Sequence, residues 1–238
     1  MRKSIFLGGI LVSLFFLQSC IYVGPSVRGS GTVTRENRQL SGFVNLEVSN
    51  GLEVLLVSDS TEYLIVVADD NLHDYIRTEL KGKTLEIYSE SRIRSAESKK
   101  VYVHYVGLEE VESTSGSVIR SEGLVRGSKV AVKASSGSMQ FIEIQTDEVK
   151  ARCSSGAQIY LSGASTKAEV QASSGAQFIG SELRTKRCEL DVSSGAQISI
   201  EVADEIIAEA SSGGQIRYSG KPAKTEIHTS SGGSVSPK

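Results

Sequence analysis

The carboxylates are the first side chains in this sequence that could carry out catalysis. A lyase acting on acidic polysaccharides needs clustered carboxylates to hold Ca²⁺ and a basic residue to accept a proton. After residue 111 the aspartates are Asp147, Asp191 and Asp204, which fall at unrelated positions of the repeat described below. Four glutamates predicted to point outward in the same region are best interpreted as a solvated charged surface: Glu169, Glu189, Glu209 and Glu226. We therefore expect no metal site among these carboxylates.

Nucleophilic and basic side chains give no better case for an enzyme. His73, His104 and His228 fall in separate regions of the chain. Serine is abundant, yet no serine has a recognisable histidine or aspartate partner or lies in a nucleophile-elbow motif. We therefore predict a protein that is not an enzyme, with no catalytic residue and no cofactor.

The N-terminal segment has the pattern of a lipoprotein signal. Arg2 and Lys3 precede an apolar stretch that is too short to span a bilayer comfortably. The stretch ends in Leu-Gln-Ser-Cys at residues 17–20, which is a lipobox. This motif predicts cleavage before Cys20 and acylation of its thiol, and several acyl chains anchor a protein stably. The alternative is an ordinary secretory signal in which Cys20 is incidental.

The lipobox sets the first domain boundaries and the expected location. Residues 1–19 are the predicted signal peptide, and residues 20–30 are a predicted flexible tether. The mature protein is then lipid-anchored in the cell envelope at the outer membrane, either periplasmic or surface-exposed. Its membrane partner is reached through the acyl chains of Cys20.

The composition argues against nucleic-acid binding. The 238 residues carry a formal net charge of −2, and no basic run is present, so nothing attracts DNA or RNA. Trp is absent and aromatic residues total 6%. The core must therefore be built mainly from aliphatic residues, and a stacking site for sugars is not favoured.

A Ser-Ser-Gly repeat dominates the second half of the chain. Seven glycines, spaced 18 to 21 residues apart, mark the repeats: Gly116, Gly137, Gly156, Gly175, Gly195, Gly213 and Gly232. Before each glycine, apolar and polar residues alternate, and the third residue after it is usually apolar, as at Ile159, Phe178, Ile198 and Ile216. A period of two is typical of a strand with one buried face.

The repeat predicts an all-β fold. A unit of about 19 residues cannot bury its own apolar face, whereas stacked units can. We predict a right-handed parallel β-solenoid whose coils each contain a strand, a Ser-Ser-Gly bend, a second strand and a polar loop. The alternative is an antiparallel sandwich of hairpins, which would need type I′ turn residues such as Asn-Gly at each bend.

The N-terminal part departs from the repeat. Residues 44–56 fit the template around Gly51, but residues 60–106 do not. There we expect a helix start at residues 69–71, strands at 76–80, 84–88 and 101–106, and a turn at 81–83. We therefore divide the fold into an irregular, β-rich capping half at residues 31–106 and a regular repeat solenoid at residues 107–238.

Polar columns flank the bends. A glutamine column lies two residues after the glycines, and a serine column lies two residues before them. Stacked amides and hydroxyls can hydrogen-bond between coils and stabilise the fold, which is the interpretation we favour. The alternative is a regular hydrogen-bonding surface for a repetitive glycan, which makes these amides candidate ligand contacts: Gln158, Gln177, Gln197 and Gln215.

Two further cysteines fall on the inward positions of the repeat. Cys153 and Cys188 lie two coils apart, which corresponds to about 9.6 Å along the solenoid axis. A disulfide needs Cα atoms within about 7 Å. We therefore predict two free, buried thiols.

The combination resembles a known family. A lipobox, the segments at residues 29–56, 68–89 and 101–118, and the Ser-Ser-Gly coils are similar to the bacterial family described as putative auto-transporter adhesin, head GIN domain. The resemblance covers residues 31–235. It implies a β-helix of the pectin-lyase-like kind, no identified catalytic residues and a role in cell adhesion. The tripeptide that names the family is absent here, and Gly-Ala-Gln lies at three of the bends.

Three function classes remain open from the sequence. The predicted one is a membrane-anchored adhesion protein that binds a glycan or a protein. The alternatives are a structural envelope protein without a ligand and a polysaccharide-active β-helix enzyme. An oligomer is also possible, because only three residues follow the last repeat and an uncovered coil can pair with another strand. Pro237 and Lys238 are typical of an edge protected against such pairing.

Overall fold

A computed structural model describes residues 26–238. This part of the chain consists of strands and a single turn of 3-10 helix, with these bounds: β1 (Ser26–Arg28), β2 (Val33–Arg38), β3 (Asn45–Val48), β4 (Glu53–Ser58), β5 (Tyr63–Asp69), the 3-10 helix (Asp70–Leu72), β6 (Ile76–Lys81), β7 (Thr84–Ser89), β8 (Arg92–Ser95), β9 (Lys99–Tyr105), β10 (Glu110–Ser113), β11 (Val118–Ala134), β12 (Met139–Cys153), β13 (Gln158–Ala172), β14 (Gln177–Val192), β15 (Gln197–Ala210), β16 (Gln215–Ser219), β17 (Lys224–Thr229) and β18 (Ser234–Pro237).

The second half is a parallel β-solenoid. Strands β11 to β15 each make one coil and pair in parallel with the coil before and the coil after. Equivalent positions of the repeat are paired, as in the inward row Val149, Ala168, Cys188 and Ile206. The predicted solenoid with coils of about 19 residues is confirmed.

Each Ser-Ser-Gly bend contains two consecutive residues in the left-handed region. At one bend Ser174 has φ 53° and Gly175 has φ 70°, and the Ala176 N–H donates to the Ser173 carbonyl at 3.1 Å. Positive φ at both central residues is the pattern of a type I′ turn. The assumption that such a turn requires Asn-Gly was therefore wrong. The bend is held from outside as well, because the Gly175 N–H donates to the Ser194 carbonyl of the next coil at 3.0 Å.

The predicted polar loops are part of the strands. Residues 162–166 lie within β13 and residues 180–187 within β14, and most of them pair with the neighbouring coils. The extra residues of β14 are accommodated by register shifts, for example between Tyr160 and Ser162 of β13. Backbone pairing between coils therefore continues through these segments, since it satisfies their donors and acceptors.

The core is mainly aliphatic, and one of its few polar layers is centred on Gln140. Ile119, Ile159 and Phe178 are buried at the third position after the bend glycine. Gln140 takes that position in the coil between Ile119 and Ile159 and is fully buried. Its Nε2 donates to the Lys133 carbonyl at 2.6 Å and to Ser113 Oγ at 2.9 Å. Burying an amide without partners is costly. The Nε2 of Gln140 is satisfied by these bonds, whereas its buried Oε1 accepts no hydrogen bond within the described residues.

Cys153 and Cys188 are free and buried, as predicted. Cys153 lies at the end of β12 and Cys188 lies within β14, so β13 separates them. Burial raises the pKa of each thiol to about 11.

The first half closes the N-terminal end of the solenoid. β3 and β4 are true coil strands, because β3 pairs in parallel with β10 and β4 with β11. The bend at Asn50-Gly51 therefore connects two walls, as expected. β7 and β9 continue the parallel pairing on β3 and β4. Beyond them the pairing becomes antiparallel, with β6 on β7, β5 on β9 and β2 on β5. The expected helix start is only the 3-10 turn, in which Leu72 is buried.

The end of the predicted tether is folded. Strand β1 pairs in parallel with β8 in a separate two-stranded sheet, and Val27 and Ile93 pack against the core. The flexible tether at residues 20–30 was therefore predicted too long at its C-terminal side. Cys20 and the predicted signal peptide lie outside the described residues.

A buried carboxylate fastens the segment after β1. Asp69 is fully buried and accepts N–H donors from Gly31 at 2.9 Å, Ser98 at 2.9 Å and Glu97 at 3.3 Å. Burial tends to raise the pKa of the Asp69 carboxyl, but these donors outweigh it and hold the pKa below its ordinary value. Asp69 therefore joins the N-terminal segment to the cap as a carboxylate.

The C-terminal coil is the most exposed part of the solenoid. β17 pairs with β15 and β18 pairs with β16, and neither has a second partner strand within residues 26–238. Every residue of β17 is exposed.

Candidate functional site

The glutamine column lies on one outer wall, just after the bends. Gln158, Gln177, Gln197 and Gln215 are paired in register along four successive coils. Strand alternation turns them outward because the next residues, Ile159, Phe178, Ile198 and Ile216, are buried. The amides therefore repeat at about 4.8 Å along the solenoid axis.

These amides do not hydrogen-bond to one another. Gln158 Oε1 accepts the Tyr160 hydroxyl at 3.0 Å. Within residues 26–238 no side-chain hydrogen bond joins neighbouring amides of the column. Gln197 and Gln215 are exposed, and Gln158 and Gln177 are half-buried. The hydrogen bonds expected between the amides of successive coils are absent from this part of the chain, so the amide groups other than Gln158 Oε1 are available to a ligand.

An aromatic stack lies beside the glutamine column. Arg120, Phe141, Tyr160 and Ile179 are paired in register at the fourth position after the bend glycines. The rings of Phe141 and Tyr160 have centroids 4.6 Å apart and planes 7° from parallel. The Arg120 guanidinium lies 4.0 Å from the Phe141 centroid. The Phe141 faces are thus covered by Arg120 and Tyr160, which leaves ring edges to contact a ligand.

The stack borders a groove of ≈ 380 Å³. Its apolar lining comes from Phe141, Tyr160 and Ile179, and its polar lining includes Ser121, Glu143 and Glu182. An apolar floor with a few polar groups at the rim is typical of a ligand site. The carboxylates at the rim disfavour an anionic ligand and leave a neutral or cationic one.

This stack was not predicted from the sequence. The low aromatic content was used as an argument against a stacking site, although Phe141 and Tyr160 both fall at the same outward position of adjacent repeats. The sequence did contain an indication of the stack, because apolar residues occupy an outward position that is usually polar. Only some coils show it, since the fourth residue after the glycine is polar at Ser199 and Arg217.

The wall before the bends is an ionic surface. Lys150 Nζ lies 2.5 Å from Glu169, Lys133 Nζ lies 2.7 Å from Glu110, and Lys167 Nζ lies 3.6 Å from Glu189. The hydrogen bond from Lys150 lowers the pKa of the Glu169 carboxyl. These pairs support the interpretation of the outward glutamates as a solvated charged surface.

One carboxyl on the wall before the bends behaves differently. Burial, and then the neighbouring Glu47, raise the pKa of the Glu112 carboxyl. Glu112 and Glu47 are register partners on β10 and β3. Within residues 26–238 no group of three or more His, Cys, Asp or Glu side chains is arranged to hold a metal ion. Two of the histidines have other acidic partners than Glu112 and Glu47. His104 Nδ1 lies 3.0 Å from Asp59, and His228 pairs with Glu226.

A family model matches the chain over residues 42–222. The family is described as putative auto-transporter adhesin, head GIN domain. The chain belongs to this family. The resemblance inferred from the lipobox and the Ser-Ser-Gly coils is thereby confirmed, and the adhesin family points to a surface or envelope protein.

Solved structures share the fold of this head GIN domain chain. A putative adhesin from Bacteroides fragilis is 13% identical with a TM-score of 0.82, over 89% of this chain and 100% of its own. A putative adhesin from Parabacteroides distasonis is 16% identical with a TM-score of 0.72, over 90% and 100%. A putative lipid binding protein from the same organism is 16% identical with a TM-score of 0.68, over 90% and 100%. At these identities the similarity establishes the fold alone.

No curated protein matches this chain. Among the described residues, no helix has the length and apolar character needed to cross a membrane.

Proposed function

We propose that this chain is a non-catalytic adhesin of the cell envelope, anchored in the outer membrane by lipid on Cys20, which binds a surface ligand through the wall that carries the glutamine column. The proposed ligand is a neutral, hydroxyl-rich glycan, and a protein surface of similar chemistry is the second possibility. The lipobox supports the anchor, and membership of the adhesin family supports the class of function.

The observation that carries the proposal is the free glutamine column beside an apolar groove. Amide side chains both donate and accept hydrogen bonds, and glycan hydroxyls do the same. A row of amides at about 4.8 Å spacing offers repeated contacts to a repetitive polymer. The apolar groove lining at Phe141, Tyr160 and Ile179 can bury apolar C–H surface of a sugar by hydrophobic contact, without stacking on a ring face.

A glycan array with the purified full chain tests the proposal. We expect selective binding to neutral glycans. Gln177→Ala with Gln197→Ala should weaken that binding by about two- to tenfold for each lost hydrogen bond. Gln171→Ala is the matched control, because Gln171 is an exposed glutamine on the wall before the bends.

The other function classes give different results in the same experiment. Silence on the array, together with unchanged adhesion of cells that lack the protein, would contradict the adhesin proposal and support a structural envelope role. Release of a shortened glycan would indicate an enzyme. In that case Glu112→Gln is the first variant to examine, because Glu112 has a raised pKa beside Glu47.

A further inference from the structure

The two-stranded β1–β8 sheet presents an arginine-rich outer face. Val27 and Ile93 are register partners and pack against the core. Since side chains alternate along a strand, Arg28 and Arg92 point to the other face, and Arg94 lies at the register irregularity between the pairs Val27–Ile93 and Arg28–Ser95. All three arginines are exposed.

These arginines have no acidic partner in the described residues. Within residues 26–238 none of the three forms an ion pair, whereas Lys133, Lys150 and other coil lysines are paired with glutamates. Residues 1–25 contain no Asp or Glu and cannot neutralise them. Two exposed acids, Glu97 shortly after β8 and Asp70, which accepts a hydrogen bond from the Ser30 hydroxyl, offset part of the charge. The face therefore keeps three exposed arginines that form no ion pair within the described residues.

The same face begins close to the proposed lipid anchor. Only six residue steps separate Cys20 from Ser26, the first residue of β1. A fully extended chain of that length spans about 20 Å. An anchor at Cys20 would therefore keep the β1–β8 sheet at the bilayer surface.

We propose that Arg28, Arg92 and Arg94 bind the anionic lipid head groups of the leaflet that holds the anchor. The inference rests on the proposed acylation of Cys20. An acyl anchor combined with a basic patch binds membranes more firmly than either alone. Charge complementarity and the short connection both favour a lipid surface as the occupant of this face.

The contact would set the orientation of the solenoid. The β1–β8 sheet lies at the end where the antiparallel strands close the solenoid, and the coils then follow in the order β3, β10, β11, β12. With the arginine face on the membrane, successive coils lie progressively further from it. The glutamine column begins only at β13, so the proposed ligand surface is presented away from the bilayer.

The test is vesicle binding by the full chain purified from membranes. Vesicles are made of phosphatidylcholine alone or of phosphatidylcholine mixed with phosphatidylglycerol. Hydrogen exchange at residues 26–28 and 92–95 reports contact, and co-sedimentation reports affinity. We expect protection and tighter binding only with phosphatidylglycerol, both decreasing as salt is added. Each arginine at the surface should strengthen binding about fivefold, so Arg28→Gln, Arg92→Gln and Arg94→Gln together should weaken it about a hundredfold.

The matched control removes three basic residues from the coils: Arg184→Gln, Lys186→Gln and Lys221→Gln. These side chains are exposed, and the control variant should retain the effect of phosphatidylglycerol. Equal protection with both vesicle types, or an equal loss in both variants, would overturn the inference. The mass of the N-terminal peptide reports acylation separately. Absence of acyl chains with intact phosphatidylglycerol binding would contradict the anchor alone.

Discussion

Tyr160 stacks on Phe141 of the preceding coil, with ring centroids 4.6 Å apart and planes 7° from parallel. Both rings lie on the outer surface, so the stack joins two coils without entering the core. A stacked pair is worth about 0.5–1.5 kcal/mol beyond the area it buries. The interaction therefore has a stabilising role that is separable from any role in ligand binding.

A double-mutant cycle measures that stabilising role. Phe141→Leu, Tyr160→Leu and the double variant are compared by urea unfolding. We expect a coupling free energy of about 0.5–1.5 kcal/mol between the two positions. Strict additivity of the single variants would show that the rings are merely adjacent.

The two buried thiols should not react with a thiol reagent while the protein is folded. Burial raises the pKa of Cys153 and Cys188 to about 11, so almost no thiolate exists at neutral pH, and the reagent has no access. Under denaturing, non-reducing conditions both cysteines should react with a thiol reagent. A disulfide-linked peptide containing Cys153 and Cys188 would refute this prediction and the coil register.

Gly175→Val should destabilise the solenoid far more than Ala176→Ser. A side chain at Gly175 would meet no neighbouring atom within 4 Å, so the cost is conformational. Gly175 has φ 70°, and the left-handed region costs an ordinary L-residue about 1–2 kcal/mol, with β-branched residues worse. Ala176 is buried, but a serine is accommodated at the equivalent position of another coil, where the Ser138 hydroxyl donates to the Ser113 carbonyl at 2.8 Å. Ala176→Ser should therefore cost little stability.

Thermal unfolding of these variants shows whether the cost of a side chain at Gly175 comes from backbone strain in the left-handed region or from a clash with neighbouring atoms. Gly175→Asn is the control, because Asn tolerates the left-handed region and Asn50 already adopts φ 61°. It should unfold close to the parent. Equal midpoints for Gly175→Val and Ala176→Ser would mean that the bend glycines are incidental.

Asp69 should make stability depend on acid. Its folded pKa lies below the ordinary value, so its contribution is complete above the pKa of an unfolded aspartate, about 3.9. The contribution is lost as pH falls through the lower folded pKa. Asp69→Asn should therefore be less stable than the parent at pH 7, and the difference should narrow below about pH 4. A difference in unfolding free energy that stays constant down to pH 2 would contradict the assignment.

Cys20→Ser should release the protein from membranes or leave it unprocessed. Without the thiol, acylation cannot occur, and the remaining membrane attraction is electrostatic and sensitive to salt. Fractionation of cells and mass spectrometry of the N-terminal peptide provide the measurements. A wild-type peptide that carries no acyl group would rule out the anchor.

The regular coils could be predicted because the sequence repeats what the fold repeats. Each bend glycine has positive φ and recurs where the chain turns between walls, and the period of two places residues such as Val170 and Ile198 in the core. The left-handed Ser174 was not foreseen, since serine does not prefer that region. It is stabilised by pairing between coils, and a pattern within one coil does not contain that information.

The cap and the candidate site were harder to predict, because they too depend on contacts that the repeat pattern within one coil does not contain. The antiparallel pairing of β2 with β5 joins segments that share no repeat. The three donors to Asp69 come from residues up to 38 positions away. The glutamine column was found from the sequence, but its lack of mutual hydrogen bonds depends on side-chain conformation. The Phe141–Tyr160 stack involves only two coils, and the equivalent position is polar in other coils, so the repeat pattern did not indicate it.

Asp69 also determines how the molecule would carry a mechanical load. In a chain fixed at its N-terminus and held at the glutamine column, tension enters through β1 and the segment that follows it. The first bonds on that route are the pairing of β1 with β8 and the Gly29 N–H to the Ser95 carbonyl. The next is the Gly31 N–H to the Asp69 carboxylate, which the Glu97 and Ser98 N–H groups hold in place. If they fail, β2, whose residues are almost all exposed, peels from β5 one hydrogen bond at a time. The coils beyond it keep their pairing, so under such a load the cap would unfold before the wall that carries the glutamine column is deformed.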